Sequence, residues 1–279
     1  MPDQPFAGVL LVSDLDGTLL DSRKRISHEN RRALERFVAG GGRFTLATGR
    51  IARAVLPYLP LLPVNAPAIL YNGAAIYDLR RQEMVWESFL DRDVLPLLAE
   101  IMQEFPELGV EVYRGEEVFF PRKNPITERH RDLERFPDRP STIDQLGLPW
   151  RKVLTAWEPE QLDRVEAFLK PKTLPCHLVR SDPFYLELLP RGASKGAALR
   201  ILAGLLGLSV TATVAIGDHL NDLEMIREAG IGVSVANGHP DLKAAADRIG
   251  LHHEEHALAE LVSWLEEQRT QGPFATSAG

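Results

Sequence analysis

The stretch Val9-Leu10-Leu11-Val12-Ser13-Asp14-Leu15-Asp16-Gly17-Thr18-Leu19-Leu20 decides the fold of this 279-residue chain. A run of apolar residues ends abruptly in two aspartates, and a glycine and a threonine follow at once. The run is too short for a helix and too apolar for an edge strand, so it predicts a buried parallel strand. Open α/β sheets bind their ligands at the carboxyl ends of such strands. The two carboxylates therefore mark a candidate site, although a plain strand followed by an Asp-Gly turn would show the same local pattern.

The composition limits the class of protein. Hydrophobic residues make up 44% of the chain and charged residues 25%, which is typical of a globular protein with one large domain or two ordinary ones. The formal net charge of −7 argues against nucleic acid as a partner, because phosphate backbones select basic surfaces, but it leaves room for a small phosphorylated substrate.

The cysteine content and the length of the apolar runs indicate the cellular compartment of the protein. Cys176 is the only cysteine, so no intrachain disulfide is possible, which fits a reducing compartment. The start Met1-Pro2-Asp3-Gln4-Pro5 lacks the basic residues of a signal peptide, and no apolar run reaches transmembrane length. We expect a cytoplasmic protein with no membrane partner.

The segment after the opening strand predicts a strand–helix–strand unit. Ser27 is a candidate N-cap for an amphipathic helix over 28–39, and Arg43 to Ala47 form a second short strand that ends in Thr48-Gly49-Arg50. Strands joined in this way are parallel neighbours, so their carboxyl ends lie side by side. This arrangement places Thr48 next to Asp14.

The pattern changes in the middle of the chain. A third strand over 68–71 and a hairpin over 75–78 and 84–87 are followed by mixed helices and strands without the βα rhythm, and no element is predicted over 121–150. The rhythm returns with a helix capped by Ser194 and a buried strand over 213–216. The sequence thus predicts an α/β fold with a Rossmann-like, doubly wound, mostly parallel core sheet and an inserted α+β cap domain. The predicted division is core 1–86, cap 87–189, core 190–267 and a disordered tail 268–279.

Polar residues gather at the ends of the predicted core strands and at helix starts. Four clusters are found: Asp14 with Asp16, Thr48, Lys195, and Asp218 with Asn221 and Asp222. A lysine at a helix start opposes the helix dipole, which indicates a nearby anion. Several carboxylates at one sheet edge call for a cation, and oxygen ligands beside a phosphate site favour Mg²⁺. An aspartate beside Mg²⁺, with a lysine and a hydroxyl to hold phosphate oxygens, is typical of phosphoryl transfer through an aspartyl-phosphate.

These motifs resemble those of the haloacid dehalogenase superfamily of phosphohydrolases. Asp14-Leu15-Asp16-Gly17-Thr18-Leu19 resembles its first motif, Thr48 in Ala47-Thr48-Gly49-Arg50 its second, Ser194-Lys195-Gly196 its third and Gly217-Asp218-His219-Leu220-Asn221-Asp222 its fourth. The Ala-Thr-Gly-Arg and Tyr-Asn-Gly-Ala sequences, the long insertion after the third strand, and Ala229-Gly230-Ile231-Gly232-Val233 are similar to the Cof-type subfamily, which carries a type IIB cap. The resemblance covers about residues 8–266.

The resemblance implies a role for each motif residue. Asp14 is the nucleophile and a Mg²⁺ ligand, and Asp218 is a further ligand. Asp16 is the general acid and then the base that activates water, while its backbone carbonyl binds the metal. The remaining roles belong to residues around the phosphate. Phosphoryl oxygens are held by Thr48, Gly49 and Lys195, and Asn221 contacts the phosphate. Arg50 and Asn72 contact substrate, and Asp222 orients Lys195 or the metal and its waters.

The function predicted from these observations is a Mg²⁺-dependent phosphatase that acts on a small phosphorylated metabolite, a sugar phosphate or a cofactor phosphate, as a monomer or homodimer. A phosphomutase on the same core is one alternative. A phosphorylatable receiver-like regulatory protein is another, but it would need less than half of this chain and has no use for a second acid at Asp16. A catalytically idle regulatory protein is a third, against which the intact set of motif residues argues.

Overall fold

The computed structural model describes residues 4–271. Its strands are β1 Leu10–Ser13, β2 Arg43–Leu46, β3 Ala68–Leu70, β4 Ala75–Asp78, β5 Glu83–Glu87, β6 Gly109–Arg114, β7 Glu117–Arg122, β8 Lys152–Ala156, β9 His177–Asp182, β10 Tyr185–Leu189, β11 Thr213–Gly217, β12 Ile231–Ser234 and β13 Arg248–Ile249. Its helices are α1 His28–Ala39, α2 Ala52–Val55, α3 Val94–Glu104, α4 Pro125–Glu134, α5 Pro159–Leu169, α6 Lys195–Leu205, α7 Leu223–Glu228, α8 Pro240–Ala245 and α9 Ala257–Gln271. Within residues 4–271 no helix has the length and apolar character needed to cross a membrane.

The central sheet has the strand order β13-β12-β11-β1-β2, and every neighbouring pair is parallel. Side chains of β1 alternate between its two faces. Leu11 joins a hydrophobic cluster with α1 and α9, whereas Leu10 and Val12 join a second cluster with α6 and α7. Helices thus cover both faces, which is why β1 reads as a continuous apolar run. The predicted Rossmann-like core and the parallel pairing of the first two strands are confirmed.

The third predicted strand differs from the expectation. It ends at Leu70, pairs with β4 in an antiparallel sheet of order β3-β4-β5, and meets the end of β2 through one parallel bridge between Ala47 and Ile69. Tyr71, Asn72 and Gly73 then form a 3₁₀ turn with φ of 52°, 53° and 97°. Such a run of left-handed residues is rare for side chains larger than glycine, so tertiary contacts hold it in place.

The inserted residues build an antiparallel sheet of order β7-β6-β8-β10-β9. One face, with Val112, Val153 and Leu188, packs on α3 and α5, and the other face, with Tyr113 and Leu154, joins the core cluster of β1. The predicted α+β insertion is confirmed. All five strands lie within 109–189, which supports the proposed cap boundaries of 87–189.

Two stretches differ from the sequence prediction. Residues 121–150, for which no element is predicted, contain α4; its signal is the N-cap Asn124, which pairs with Thr127 in a capping box, and Pro125 at the first helical position. Helix α9 continues to Gln271, so residues 268–271 are helical and the disordered tail predicted over 268–279 does not begin at 268. The rest of that segment lies outside the described residues.

Gly73 generates a stability prediction, because a Cβ at this position would overlap the carbonyl of Ser194 at the start of α6. Gly73→Ala adds backbone strain to this overlap and should lower the free energy of unfolding by about 3 kcal/mol or more. Gly207→Ala is the matched control, since Gly207 also has a positive φ of 68° but has open space around it, and it should cost about 1 kcal/mol. Urea unfolding followed by circular dichroism measures both, and equal losses would contradict the packing argument.

His130 generates a pH prediction. Its Nδ1 lies 2.9 and 3.0 Å from the carboxylate oxygens of the fully buried Glu111. Burial lowers the pKa of His130, but the charge and hydrogen bond of Glu111 outweigh it and raise the pKa above the ordinary 6.5. A raised pKa stabilises the fold fully below the ordinary value, and this stabilisation is lost as pH rises through the folded-state pKa.

The free energy of unfolding lost in His130→Asn should therefore be about 2 kcal/mol at pH 6 and smaller at pH 9. Urea unfolding at the two pH values measures it. His28→Asn, at the exposed start of α1, is the control and should show the same small effect at both. A loss in His130→Asn that does not change with pH would contradict the pairing.

Candidate active site

The four predicted clusters meet at the carboxyl edge of the central sheet. Asp14 follows directly on β1, and Thr48 follows β2 at the second position beyond the last paired residue, Leu46. Lys195 begins α6, and Asp218 follows β11, the other neighbour of β1. The parallel order of these strands brings together residues that are some 200 positions apart in the chain. The sequence prediction that their ends converge is confirmed.

Lys195 is the centre of this arrangement. Its ammonium lies 2.6 Å from Asp14 Oδ1 and 2.6 Å from Asp222 Oδ1, and its side chain is fully buried. Burial lowers the pKa of Lys195, but the charges of the two aspartates outweigh it and raise the pKa above its ordinary value, so the lysine is charged. The two carboxylates explain why a lysine is tolerated at a helix start.

Asp222 uses both of its oxygens inside the protein. Oδ1 accepts from Lys195, and Oδ2 accepts from the backbone N–H groups of Asp218 and His219 at 3.0 and 3.2 Å. This geometry orients Lys195 and shapes the loop that carries Asp218. It matches the orienting role that the family resemblance implies for Asp222 more closely than the role of a direct metal ligand.

Asp218 lies beside the first motif. Thr18 Oγ1 donates to Asp218 Oδ1 at 3.1 Å, and a Cβ on Gly17 would come within 2.5 Å of Asp218 Oδ2. Gly17 has a φ of 79°, so both its backbone conformation and the space beside Asp218 call for glycine. The Asp-Gly-Thr sequence therefore serves to bring the Asp218 carboxylate close to the end of β1.

Asp14, Asp218 and Asp222 form a cluster in which one carboxylate oxygen of each residue lies within 4.8 Å of the other two. Burial, and then the charges of Asp222 and Asp218, raise the pKa of Asp14 well above its ordinary value despite Lys195. Burial and the charge of Asp222 raise the pKa of Asp218 to about 7. One ammonium does not balance three carboxylates, and an all-oxygen donor set of this kind fits a hard divalent cation.

Two asparagines lie between the cluster and the second motif. Asn221 Nδ2 donates to Asn72 Oδ1 at 3.0 Å, and the Asn72 N–H donates to the Thr48 carbonyl at 3.0 Å. Among the described residues, Asn72 Nδ2 and Asn221 Oδ1 are buried without a hydrogen-bond partner. Buried orphan groups are costly, so these two atoms mark a place where a polar ligand would be bound.

Asp16 faces away from the carboxylate cluster. Arg50 Nε donates to Asp16 Oδ2 at 2.6 Å, Arg50 Nη2 donates to Oδ1 at 2.9 Å, and Lys24 Nζ lies 2.5 Å from Oδ1. Burial raises the pKa of Asp16, but the Arg50 hydrogen bonds and charge, helped by Lys24, lower it to about 2. In this arrangement Asp16 is a carboxylate with both oxygens occupied.

The cap reaches the second motif directly. Lys152 Nζ, buried beside Glu187, donates to the Gly49 carbonyl at 3.0 Å. Arg50 Nη1 donates to Glu134 of α4 at 2.9 Å. The cap sheet and its helix therefore lie over the segment Thr48–Arg50.

Several residues of the site are missing from the sequence prediction: Thr18, Lys24, Glu134 and Lys152. Thr18 had a signal, because it lies within the first motif. Lys24, with a φ of 58° in the loop before α1, and the cap residues Glu134 and Lys152 had none, because only tertiary packing brings them to the site.

Comparisons with known proteins identify the family of this chain. A family model described as haloacid dehalogenase-like hydrolase matches residues 11–262. The provisionally named phosphatase YxeH of Bacillus subtilis (strain 168) is 34% identical over 273 residues, which span 92% of this chain and 97% of that protein. The 5-amino-6-(5-phospho-D-ribitylamino)uracil phosphatase YcsE of the same organism is 27% identical over 260 residues, with 91% and 94% covered.

A solved structure shows the same fold. The crystal structure of a haloacid dehalogenase-like hydrolase from Bacteroides thetaiotaomicron matches with a TM-score of 0.79 and 33% sequence identity, covering 92% of this chain and 99% of that one. The family match extends over both the core and the inserted cap. The chain therefore belongs to the haloacid dehalogenase superfamily of hydrolases, in agreement with the order of its four motifs.

Proposed function

We propose that the protein is a Mg²⁺-dependent phosphatase that hydrolyses a small phosphorylated metabolite through a phosphoryl group on Asp14. The observation that carries this proposal is the position of Asp14: a buried carboxylate at the end of β1, held by Lys195 and flanked by Asp218. A carboxylate fixed by an ammonium is oriented for attack as a nucleophile. The donor set around it fits Mg²⁺, with Asp14, Asp218 and the Asp16 backbone carbonyl as the proposed ligands.

The first step forms the intermediate. An Asp14 oxygen attacks phosphorus, the bond from phosphorus to the leaving oxygen breaks, and Asp16 gives that oxygen a proton. Lys195, the Thr48 hydroxyl and the unpaired Asn72 Nδ2 supply hydrogen-bond donors for the phosphoryl oxygens, and Gly49 leaves room for the Asn72 side chain. The chemistry that Mg²⁺ supplies when bound is neutralisation of the charge on these oxygens.

The second step returns the enzyme to its starting state. Asp16, now a carboxylate, accepts a proton from water, the water oxygen attacks phosphorus, and the bond to Asp14 breaks with release of phosphate. The general acid at Asp16 is what distinguishes a phosphatase from a receiver domain, which does not need one. A phosphomutase would pass the phosphoryl group to a second substrate oxygen in place of water, so the product of the assay separates the two.

The proposed substrate class is a sugar phosphate or a cofactor phosphate. The name of the relative YcsE describes a phosphorylated ribityl compound as its substrate, which supports a phosphate ester of a polar alcohol. The cytoplasmic location and the monomeric or dimeric state stay predictions.

The activity prediction concerns phosphate release from p-nitrophenyl phosphate. The wild type should release phosphate with Mg²⁺ and lose this activity with chelator. Asp14→Asn should be inactive, because it lacks the nucleophile, and Asp16→Asn should lose about 10²–10⁴-fold in kcat, which is typical of a lost general acid–base. Asp241→Asn, on the exposed first turn of α8, is the control and should match the wild type.

The outcomes of this assay separate the alternatives. A wild type that accumulates an acid-labile phosphoryl group without releasing phosphate would favour the receiver or mutase. Release that persists in Asp14→Asn would contradict the nucleophile, and release that persists in chelator would contradict the metal.

The metal prediction concerns stability. Mg²⁺ bound only by the folded protein should raise the free energy of unfolding by about 2.7 kcal/mol at a concentration 100-fold above Kd. Asp218→Asn should reduce this increase because it removes a carboxylate of the cluster, whereas Asp241→Asn should retain it. Unfolding in Mg²⁺ and in chelator measures the effect; stability that is equal in both would contradict the site.

A further inference from the structure

The two asparagines beside the second motif leave one hydrogen-bond donor and one acceptor unpaired. Asn221 Nδ2 donates to Asn72 Oδ1 at 3.0 Å. Among the described residues, Asn72 Nδ2 and Asn221 Oδ1 are buried without a hydrogen-bond partner. If both amides are turned over, the same contact forms with donor and acceptor exchanged, and again one donor and one acceptor stay unpaired. The pair therefore offers a ligand both kinds of group in either orientation.

A phosphoryl group satisfies only half of this pair. The oxygens of a dianionic phosphate ester accept hydrogen bonds and have no proton to donate. They can accept from the donor of the pair, which is the role proposed for Asn72 Nδ2, but they cannot satisfy the acceptor. A buried acceptor without a partner loses its hydration and gains nothing in return. Asn221 Oδ1 therefore needs an N–H or O–H group that the phosphate does not supply.

The position of the pair indicates which part of a substrate carries this donor. Asn221 belongs to the turn Leu220–Asp222, which packs against cap strand β9. Asn72 is only 1% exposed and follows Tyr71, whose hydroxyl donates to the cap residue Glu116 at 2.9 Å. On its other side, the Asn72 amide lies against the glycine of the second motif. The pair thus lies between the phosphoryl site and the cap, which is where the alcohol part of a phosphate ester has to lie.

We infer that the Asn72–Asn221 pair selects phosphate esters that carry a hydroxyl group on the carbon next to the esterified one. The inference rests on the proposed function and narrows its substrate class. The hydroxyl group donates to the unpaired acceptor of Asn221, while a phosphoryl oxygen accepts from Asn72. The two amides are in direct hydrogen-bond contact, so a ligand that meets both must hold its hydroxyl close to its phosphate. Phosphates of sugars and other polyols meet this requirement, and phosphates of simple alcohols do not.

The test compares phosphate release from 2-hydroxypropyl phosphate and from n-propyl phosphate, which lacks only the hydroxyl group. In the wild type, kcat/KM should be about tenfold or more higher for the hydroxylated ester, because the other ester leaves the acceptor unpaired. Asn221→Leu removes the amide at similar volume and should reduce this preference to less than about threefold. Asn221→Asp keeps an acceptor oxygen, so it should retain the preference while its charge lowers kcat/KM for both esters.

Thr48→Val is the matched control. It removes a hydroxyl group proposed to hold a phosphoryl oxygen, which both esters have, so it should lower kcat/KM for both by the same factor. Any difference in the intrinsic reactivity of the two esters cancels when the preference of a variant is divided by that of the wild type. Thermal unfolding of each variant verifies that it is folded.

The outcomes separate the inference from the proposed function. A preference that is lost in Asn221→Leu but kept in Thr48→Val and Asn221→Asp supports the inference. A wild type without the preference, or an Asn221→Leu variant that loses equally on both esters, would show that Asn221 only holds Asn72 or a water, and would overturn the inference while the phosphatase stands. Release from p-nitrophenyl phosphate alone would do the same. Release from none of the three esters would overturn the proposed function and this inference with it.

Discussion

The site depends on one buried ammonium. Lys195 joins the end of β1 to the turn that contains Asp222, and it does so with no exposed surface. Burying a single charge costs several kcal/mol, and two carboxylates at 2.6 Å offset this cost where one exposed partner would not. Because the three residues come from the first, third and fourth motifs, the ammonium also fixes how β1, α6 and the loop after β11 lie relative to one another. Asp218 adds a further carboxylate to this balance, so the protein alone leaves an excess of negative charge where a cation fits.

The sequence predicted that these strand and helix ends meet, because a short local pattern marks each of them. Asp14 and Asp218 each follow an apolar run that predicts a buried strand, Thr48 follows the short strand that the intervening helix makes parallel to the first, and parallel strands align their carboxyl ends. Lys195 was recognisable because Ser194 is an N-cap and a lysine directly after it opposes the helix dipole. The chemistry-bearing residues were thus encoded by short patterns, and the fold had only to bring four strand and helix ends to one edge.

No short sequence pattern marks the contacts between the cap and the core. Helix α4 buries only Thr127, so its apolar periodicity is too weak to predict a helix, and only Asn124-Pro125 marks its start. The end of β3 shows the same limit: the apolar run continues through Tyr71, yet the chain turns there into three residues with positive φ. The turn lets Tyr71 donate from its hydroxyl to the cap residue Glu116 at 2.9 Å while Asn72 meets Asn221. Interactions between distant residues decide this conformation, and propensity does not.

The two aspartates of the first motif have different charged neighbours, which shift their pKa values in opposite directions. They are two residues apart, yet Asp14 faces Lys195 and two carboxylates, whereas Asp16 faces Arg50 and Lys24. These surroundings raise the pKa of Asp14 and lower that of Asp16. A nucleophile has to be ionised and a general acid has to carry a proton, so the proposed roles need both directions reversed. A cation bound beside Asp14 and Asp218 would favour the ionised form of Asp14, and loss of the contact with Arg50 would favour the protonated form of Asp16.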